Sequence, residues 1–165
     1  MNHSRRALLL AALASVACSL LKPPPPVITP RSATVTRASS EGLGLRVELS
    51  ARNTARVDVT VQSIDVRLTL AGRDLGMTHV GGETRLPSNT DVPLSLDVTA
   101  PWHDLPGILL ATAFNENVPY HLDGTVRVGG ARINVDVPFQ MDSTIPRSVL
   151  TGAATNALPA LPGAR

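Results

Sequence analysis

The chain has 165 residues, is 43% hydrophobic and carries a formal net charge of +2 at pH 7. That length suits one ordinary domain with additional segments at its ends. Only four residues are aromatic and the charges are interspersed, which excludes a base-stacking platform or a basic patch for nucleic acid.

The first 17 residues have the pattern of a secretory signal peptide. Arg5 and Arg6 precede an apolar run that ends in small residues before Cys18. The run is about 11 residues long, whereas a helix that crosses a bilayer needs roughly 20. Residues 1–17 are therefore predicted to be a signal peptide and not a membrane span.

Residues 14–18, Ala-Ser-Val-Ala-Cys, resemble a bacterial lipobox, in which the cysteine is lipidated and becomes the first mature residue. Cys18 is the only cysteine, so it has no intramolecular disulfide partner. We predict Cys18 as the lipidation site of a lipid-anchored protein of the bacterial envelope. Ser19 after the cysteine, in place of Asp, favours the periplasmic face of the outer membrane. A soluble secreted protein is the alternative, because Ser15 and Ala17 also suit an ordinary signal peptidase.

Loss of the signal peptide changes the charge balance. Lys plus Arg falls from 15 to 13 and then equals the 13 Asp plus Glu, so the basic isoelectric point of the full chain does not indicate a nucleic-acid partner. Residues 18–30 are predicted to be a linker, because four consecutive prolines from Pro23 favour the extended polyproline II conformation.

Residues 31–146 are predicted to form one all-β domain. Several segments alternate apolar and polar residues with period two between turn signals, which is typical of an antiparallel β-sandwich. The predicted strands cover 32–38, 42–52, a long stretch within 53–76, about 73–80, 91–98 and a final hairpin. The fifth is predicted to be an edge strand, since Pro93 cannot donate to a ladder.

The stretch 53–76 contains two apolar phases, Val57–Val61 and Ile64–Leu70. The slip between them at Gln62–Ser63 predicts a β-bulge. We expect that bulge to let one strand serve both halves of the sandwich, and Ala71-Gly72 to form a tight turn.

Two glycine pairs and one short helix complete the predicted domain. Gly81-Gly82 is predicted to end the fourth strand. Gly129-Gly130 is predicted to be a two-residue hairpin turn that pairs Val128 with Ala131 and Tyr120 with Phe139. Before that hairpin, a short helix is expected with Asp104 as its N-cap and Pro106 in its first turn, and Trp102 as a packing anchor.

The only metal candidates are weak. The predicted hairpin register places Asp123 opposite Asp136, with His121 two residues away and Arg127 opposite Arg132. A divalent cation is one interpretation, and two solvated carboxylates are the other. After Pro146, small residues, Pro and Gly predict a disordered tail over 147–165.

In this order the segments resemble the late embryogenesis abundant (LEA) type 2 family, also called the WHy domain. The resemblance spans about 31–145 and rests on Asn53-Thr54, on 64–76, on 86–98, on 120–128 and on 137–141. The family typically has Asn-Pro where this chain has Asn53-Thr54. The resemblance implies an immunoglobulin- or fibronectin-III-like sandwich and a role in desiccation and water-stress tolerance.

The resemblance brings no catalytic residue and no cofactor, and the sequence has no GxSxG elbow or phosphate-binding loop. We therefore expect a non-enzymatic lipoprotein whose partner is the lipid bilayer. Alternatives are an envelope adaptor that binds a partner protein through its strand edges or loops, and an apolar ligand between the sheets.

Overall fold

The structure, a computed structural model, describes residues 24–39, 41–130 and 134–157. These ranges contain seven strands and two helices. The strands are β1 (Val27–Ala38), β2 (Gly42–Arg52), β3 (Val59–Leu70), β4 (Arg73–Leu86), β5 (Asp91–Pro101), β6 (Asn117–Gly129) and β7 (Asn134–Pro146); the helices are α1 (Leu105–Ala111) and α2 (Arg147–Ala157).

The strands form two sheets, with the orders β1-β2-β5 and β4-β3-β6-β7. Every neighbouring pair is antiparallel. The predicted antiparallel β-sandwich of about seven strands, with a short helix before the last hairpin, is therefore confirmed.

The core lies between the sheets and is almost entirely aliphatic. Alternate residues of each strand point inward because side chains along a strand change face with period two. The largest fully buried side chains are Leu43, Leu45, Leu49, Leu68, Leu70, Leu75, Leu86, Ile108, Leu122, Ile145, Leu150 and Val47. Tyr120 crosses the core, and its hydroxyl donates a 3.0 Å hydrogen bond to the Ala33 carbonyl of the other sheet.

The predicted β-bulge is present in β3. The register shifts between Val61 and Ser63 against both β4 and β6. Both halves of β3 nevertheless pair within the four-stranded sheet, so the expectation that one strand serves both halves of the sandwich is wrong. Ala71 and Gly72 form the predicted tight turn, with φ of 49° and 75°.

β4 is longer than predicted. Gly81 and Gly82 lie inside the strand, which continues to Leu86, and they are not a turn. They face the bulge in β3: Ser63 pairs with Gly81 and Val61 with Thr84. The glycines therefore lie opposite the bulge in β3. Bulges, like turns, are positions where glycine is favoured.

The register of the β6–β7 hairpin differs from the prediction by four residues. Val128 pairs with Val135 and not with Ala131, and Gly124 pairs with Phe139 in place of the predicted Tyr120. Because four is an even number, each side chain still points to its predicted face. The connection runs from Gly130 to Asn134, and 131–133 lie outside the described residues.

The predicted short helix is present as α1, and it closes one end of the sandwich. The Asp104 carboxylate accepts a 3.0 Å hydrogen bond from the Gly107 N–H and caps the helix. Leu105 and Ile108 are buried on its inner side. Trp102 packs beside it, and the indole N–H donates a 2.6 Å hydrogen bond to the Ser39 carbonyl.

Both ends of the domain differ from the predicted boundaries. β1 begins at Val27, inside the segment assigned to the linker 18–30. The first part of the segment assigned to a disordered tail forms α2, whose Leu150 and Ala153 are buried. Residues 1–23 and 158–165 lie outside the described residues.

The edge strands of the two sheets face each other in pairs. β4 lies beside β5 on one side of the sandwich, and β1 lies beside β7 on the other. The Thr78 hydroxyl donates a 2.9 Å hydrogen bond to the Thr99 carbonyl and joins the first pair. Pro93 stands on β5, which pairs only with β2, so the predicted edge strand is confirmed.

Candidate functional sites

Two of the three weak metal candidates, His121 and Asp123, are brought together, whereas Asp136 is not. Asp136 lies opposite Arg127, whose Nε donates a 3.0 Å hydrogen bond to it. Asp123 lies opposite Gln140 and accepts a 3.0 Å hydrogen bond from its amide. The predicted pairs of Asp123 with Asp136 and of Arg127 with Arg132 are therefore wrong, because the hairpin register is shifted by four residues.

His121 instead lies between two carboxylates. Its Nδ1 is 2.6 Å from Asp142 Oδ1 and its Nε2 is 3.1 Å from Asp123 Oδ2. The hydrogen bonds to Asp142 and Asp123 raise the pKa of the imidazole, because the charged form donates from both nitrogens. An imidazole held in this way has no free lone pair for a metal ion. Sequence reasoning missed Asp142 because it faces His121 only in the observed register.

Other charged side chains on the outer face of the four-stranded sheet also have partners. Arg67 and Asp74 form an ion pair of 2.5 Å, and His79 Nδ1 is 2.6 Å from Asp65 Oδ1. The Gly76 N–H and the Arg67 guanidinium lower the pKa of the Asp74 carboxyl. Across the described ranges, no three His, Cys, Asp or Glu side chains are grouped to hold a metal ion.

The loops 53–58 and 87–90 and the start of β1 form one end of the sandwich, which we call the linker end. Asn53 is its fully buried centre, with 0% of its surface exposed. The side-chain amide donates 2.9 Å hydrogen bonds to the carbonyls of Val57 and Leu86 and accepts one of 3.0 Å from the Ala55 N–H. The Asn53 backbone N–H donates to the Thr90 carbonyl. One asparagine therefore ties both loops together.

A second polar contact joins the same two loops. The Asp58 carboxylate accepts hydrogen bonds from the Arg85 guanidinium and from the Ser88 N–H. These two donors lower the pKa of the Asp58 carboxyl. The linker also attaches here, since Pro26 is buried and the Thr54 hydroxyl donates a 3.3 Å hydrogen bond to the Pro25 carbonyl.

The tips of the linker end are exposed. Val27 and Val57 have 51% and 47% of their surface exposed. Arg56, beside Val57, is exposed and has no ion-pair or hydrogen-bond partner among the described residues. The surface therefore combines an unpaired cation with small apolar side chains.

The opposite end, which we call the helix end, has a different apolar surface. Leu110 on α1 is 79% exposed and Phe114 just after it is 100% exposed. The Asp104 cap beside them is paired with Arg73 at 2.5 Å. Large exposed hydrophobic side chains of this kind are a frequent mark of contact surfaces.

Two clefts adjoin strand β5. One, of about 200 Å³, opens between the edges of β4 and β5 and is lined by Val61, Ile64, Val80, Gly81, Gly82, Thr84, Pro93, Leu94, Ser95 and Leu96. The other, of about 420 Å³, lies across β5 beside Arg31 and Glu48. Both include the segment Pro93–Ser95, which is therefore accessible from two sides.

Cys18, the predicted lipidation site, lies outside the described residues. Among the helices within the described ranges, none has the length and apolar character that a membrane crossing requires.

Comparison with protein families matches residues 48–143 to LEA type 2, described as late embryogenesis abundant protein. No curated protein matches the chain by sequence. A solved structure of a protein from Arabidopsis thaliana superposes with a TM-score of 0.64 at 14% identity, covering 75% of this chain and 83% of that one. A protein from Archaeoglobus fulgidus superposes with a TM-score of 0.58 at 12% identity, covering 72% and 97%. These similarities show a common fold.

Proposed function

Because the chain belongs to the late embryogenesis abundant type 2 family, we propose that it is a lipid-anchored, non-enzymatic protein of a bacterial envelope that protects membranes or proteins when water is lost. The protective role comes from the family resemblance. The lipobox at 14–18, followed by a proline-rich linker, is the observation that carries the anchoring. The proposed location is the periplasmic face of the outer membrane.

The arrangement of charged side chains supports a non-enzymatic role. Catalytic sites usually hold titratable groups in a cleft, where burial and neighbours shift their pKa values strongly. Here His121 and its two aspartates lie on an open sheet face, as do the ion pairs around Asp74 and Asp136. A solvated surface of this kind supports a scaffold role.

Replacement of the predicted anchor tests the location. In Cys18→Ala the protein should move from the membrane fraction to the soluble envelope fraction, because the thiol that carries the lipid is gone. Ser19→Asp is the matched control, since it keeps the thiol and should keep the protein on a membrane. A Cys18→Ala protein that still sediments with membranes would show that the anchor is wrongly assigned.

Partial drying tests the protective role. Liposomes and a drying-sensitive enzyme are dried and rehydrated with the purified protein, and leakage and residual activity are measured. We expect protection greater than that from an equal mass of albumin. Equal protection would argue against a specific role in water stress.

The cleft between β4 and β5 favours one alternative, an adaptor that binds an envelope protein through its strand edges. Gly81 and Gly82 carry no side chains, and the cleft beside them is lined by apolar groups such as Leu94 and Leu96. An extended peptide is suited to such an edge, because its backbone approaches closely and its side chains occupy the cleft.

Photocrosslinking distinguishes the two functions. A photoreactive residue replaces Ser95, which lines both clefts, and Gln140 on the other sheet serves as the control position. One dominant product from position 95 alone would favour the adaptor. Many weak products from both positions would favour general protection.

A further inference from the structure

We propose that the linker end of the sandwich, around Arg56 and Val57, rests on the anionic phospholipid surface of the membrane that holds the lipid anchor. This inference rests on the proposed lipidation of Cys18. It adds an orientation: the loops 53–58 and 87–90 face the bilayer, and the helix end points away from it.

The length of the tether brings the linker end close to the membrane. Pro24, the first described residue, follows Cys18 by six positions. At no more than about 3.6 Å per residue, these positions span at most about 22 Å. Pro25 and Pro26 are already fixed against the domain, by the hydrogen bond from Thr54 and by burial. The tether from Cys18 to Pro24 is therefore shorter than the sandwich, whose 14-residue strand β4 extends for about 45 Å.

The charges at the linker end suit an anionic surface. Its two carboxylates are each paired with an arginine, Asp58 with Arg85 and Asp91 with Arg52. Arg56 has no such partner among the described residues and is exposed. Among the described residues of this end, Arg56 is therefore a positive charge without a carboxylate partner, which an anionic leaflet attracts.

Exposed apolar side chains lie at the same end of the sandwich as this cation. Val57 is 47% exposed beside Arg56, and Val27 is 51% exposed where β1 begins. Arginine next to exposed apolar groups is typical of surfaces that rest at a lipid interface, where the apolar atoms leave water and the guanidinium contacts headgroups.

The outer face of the four-stranded sheet disfavours the main competing orientation, in which the sandwich lies on its side. This face carries six carboxylates against three arginines, beside His79 and His121, and an anionic surface repels the excess. The charged residues are Asp65, Asp74, Glu83, Asp123, Asp136, Asp142, Arg67, Arg85 and Arg127. Of the orientations that the tether allows, contact through the linker end therefore avoids this repulsion.

The test uses the full lipidated chain in vesicles of phosphatidylcholine with phosphatidylglycerol that contain a lipid quencher. Cys18 is the only cysteine, so Val57→Cys provides a single free thiol for a fluorescent label. Phe114→Cys places the same label at the helix end and is the matched control. We expect the label at 57 to be quenched several-fold more than the label at 114. Quenching of the label at 57 should be weaker in vesicles without phosphatidylglycerol.

Charge variants test the role of Arg56. In the Val57→Cys background, Arg56→Gln should reduce the ratio of protein with the linker end on the membrane to protein with this end away from it by about fivefold, as expected for one arginine near an anionic leaflet. Quenching of the label at position 57 measures this ratio. Arg37→Gln, which removes a charge at the helix end, should leave the ratio unchanged. An equal effect of the two substitutions would contradict the proposed contact.

The possible failures are distinguishable. If the wild-type protein does not sediment with vesicles, the anchoring is wrong and the orientation falls with it. If it sediments but the two labels are quenched equally, or the label at 114 is quenched more, the anchor stands and the orientation is overturned. If the label at 114 is quenched more, the exposed pair Leu110 and Phe114 is the membrane contact.

Discussion

At the scale of single residues, Asn53 shows how a polar side chain holds a loop end together. In the sequence, Asn53-Thr54 stands out only through the family resemblance, whereas the structure has Asn53 fully buried with both side-chain N–H groups and the side-chain oxygen hydrogen-bonded. One acceptor, the Leu86 carbonyl, is 33 residues away. A hydrogen-bond partner at that separation leaves no pattern in the neighbouring sequence. Strand periodicity and turn rules therefore locate Asn53 near the end of a strand but do not reveal its role.

Removal of this amide should be costly. Asn53→Ala removes the side-chain partner of the buried Leu86 carbonyl and Ala55 N–H and of the part-buried Val57 carbonyl, so we expect a loss of about 2–4 kcal/mol in the free energy of unfolding. Urea denaturation followed by circular dichroism measures it. Arg56→Gln in the same loop should change stability by less than about 0.5 kcal/mol. Equal stabilities of the two variants would contradict the role assigned to Asn53.

His121 makes the stability of the domain depend on pH. The carboxylates of Asp142 and Asp123 raise the pKa of its imidazole. Stabilisation from a group whose pKa is raised on folding is fully present below its unfolded pKa and is lost as the pH rises through the folded pKa. Wild type should therefore exceed His121→Gln in stability at about pH 5.5, and the difference should shrink by about pH 9.

Thermal denaturation across this pH range measures that difference. Asp142→Asn removes the partner with the largest influence on the His121 pKa and should weaken the pH dependence. A wild-type advantage that is the same at every pH would show that the imidazole contributes through packing and not through its charge.

At the scale of elements, alternation predicted the strands but not the register of the last hairpin. The predicted and observed pairings differ by four residues, and both place the same side chains in the core. Hydrophobic pattern therefore cannot choose between them. Charge and shape can: the observed register pairs Arg127 with Asp136 and places the Phe139 ring over Gly124, whereas the predicted one placed like charges opposite each other.

A methyl group at Gly124 tests this register. A Cβ there would lie 2.1 Å from the Phe139 ring, so Gly124→Ala should destabilise the domain by about 1–3 kcal/mol. Phe139→Leu should recover part of that loss in the double variant. Gly152→Ala is the control, because nothing lies within 4 Å of the new methyl and alanine is favoured in a helix. A harmless Gly124→Ala would mean that the ring lies elsewhere.

Two further elements show where local signals end. β4 was predicted to stop at Gly81-Gly82, because paired glycines usually mark turns, but these glycines face the bulge in β3. Helix α2 was missed because its Ser, Val, Thr, Asn and Gly residues have low helix propensity and offset the preference of its alanines. Burial of Leu150 and Ala153 against the rest of the core stabilises α2, and that contact is tertiary.

At the scale of the whole molecule, the sandwich has two unlike ends and two unlike faces. The linker end carries Arg56 and small apolar groups, and the helix end carries Leu110 and Phe114. The sequence predicted the layers, since alternation fixes which residues are buried. It did not predict which loops share an end, because that depends on strand order.

The pairing of edge strands has a consequence for the proposed role in water loss, in which the protein becomes concentrated as water leaves. A free strand edge presents N–H and C=O groups to which another chain can add, and this leads to aggregation. Here β4 lies beside β5 and β1 beside β7, so the protein itself screens its edges. Pro93 removes one more donor from β5. This arrangement allows the domain to be crowded at a drying surface without joining its neighbours strand to strand.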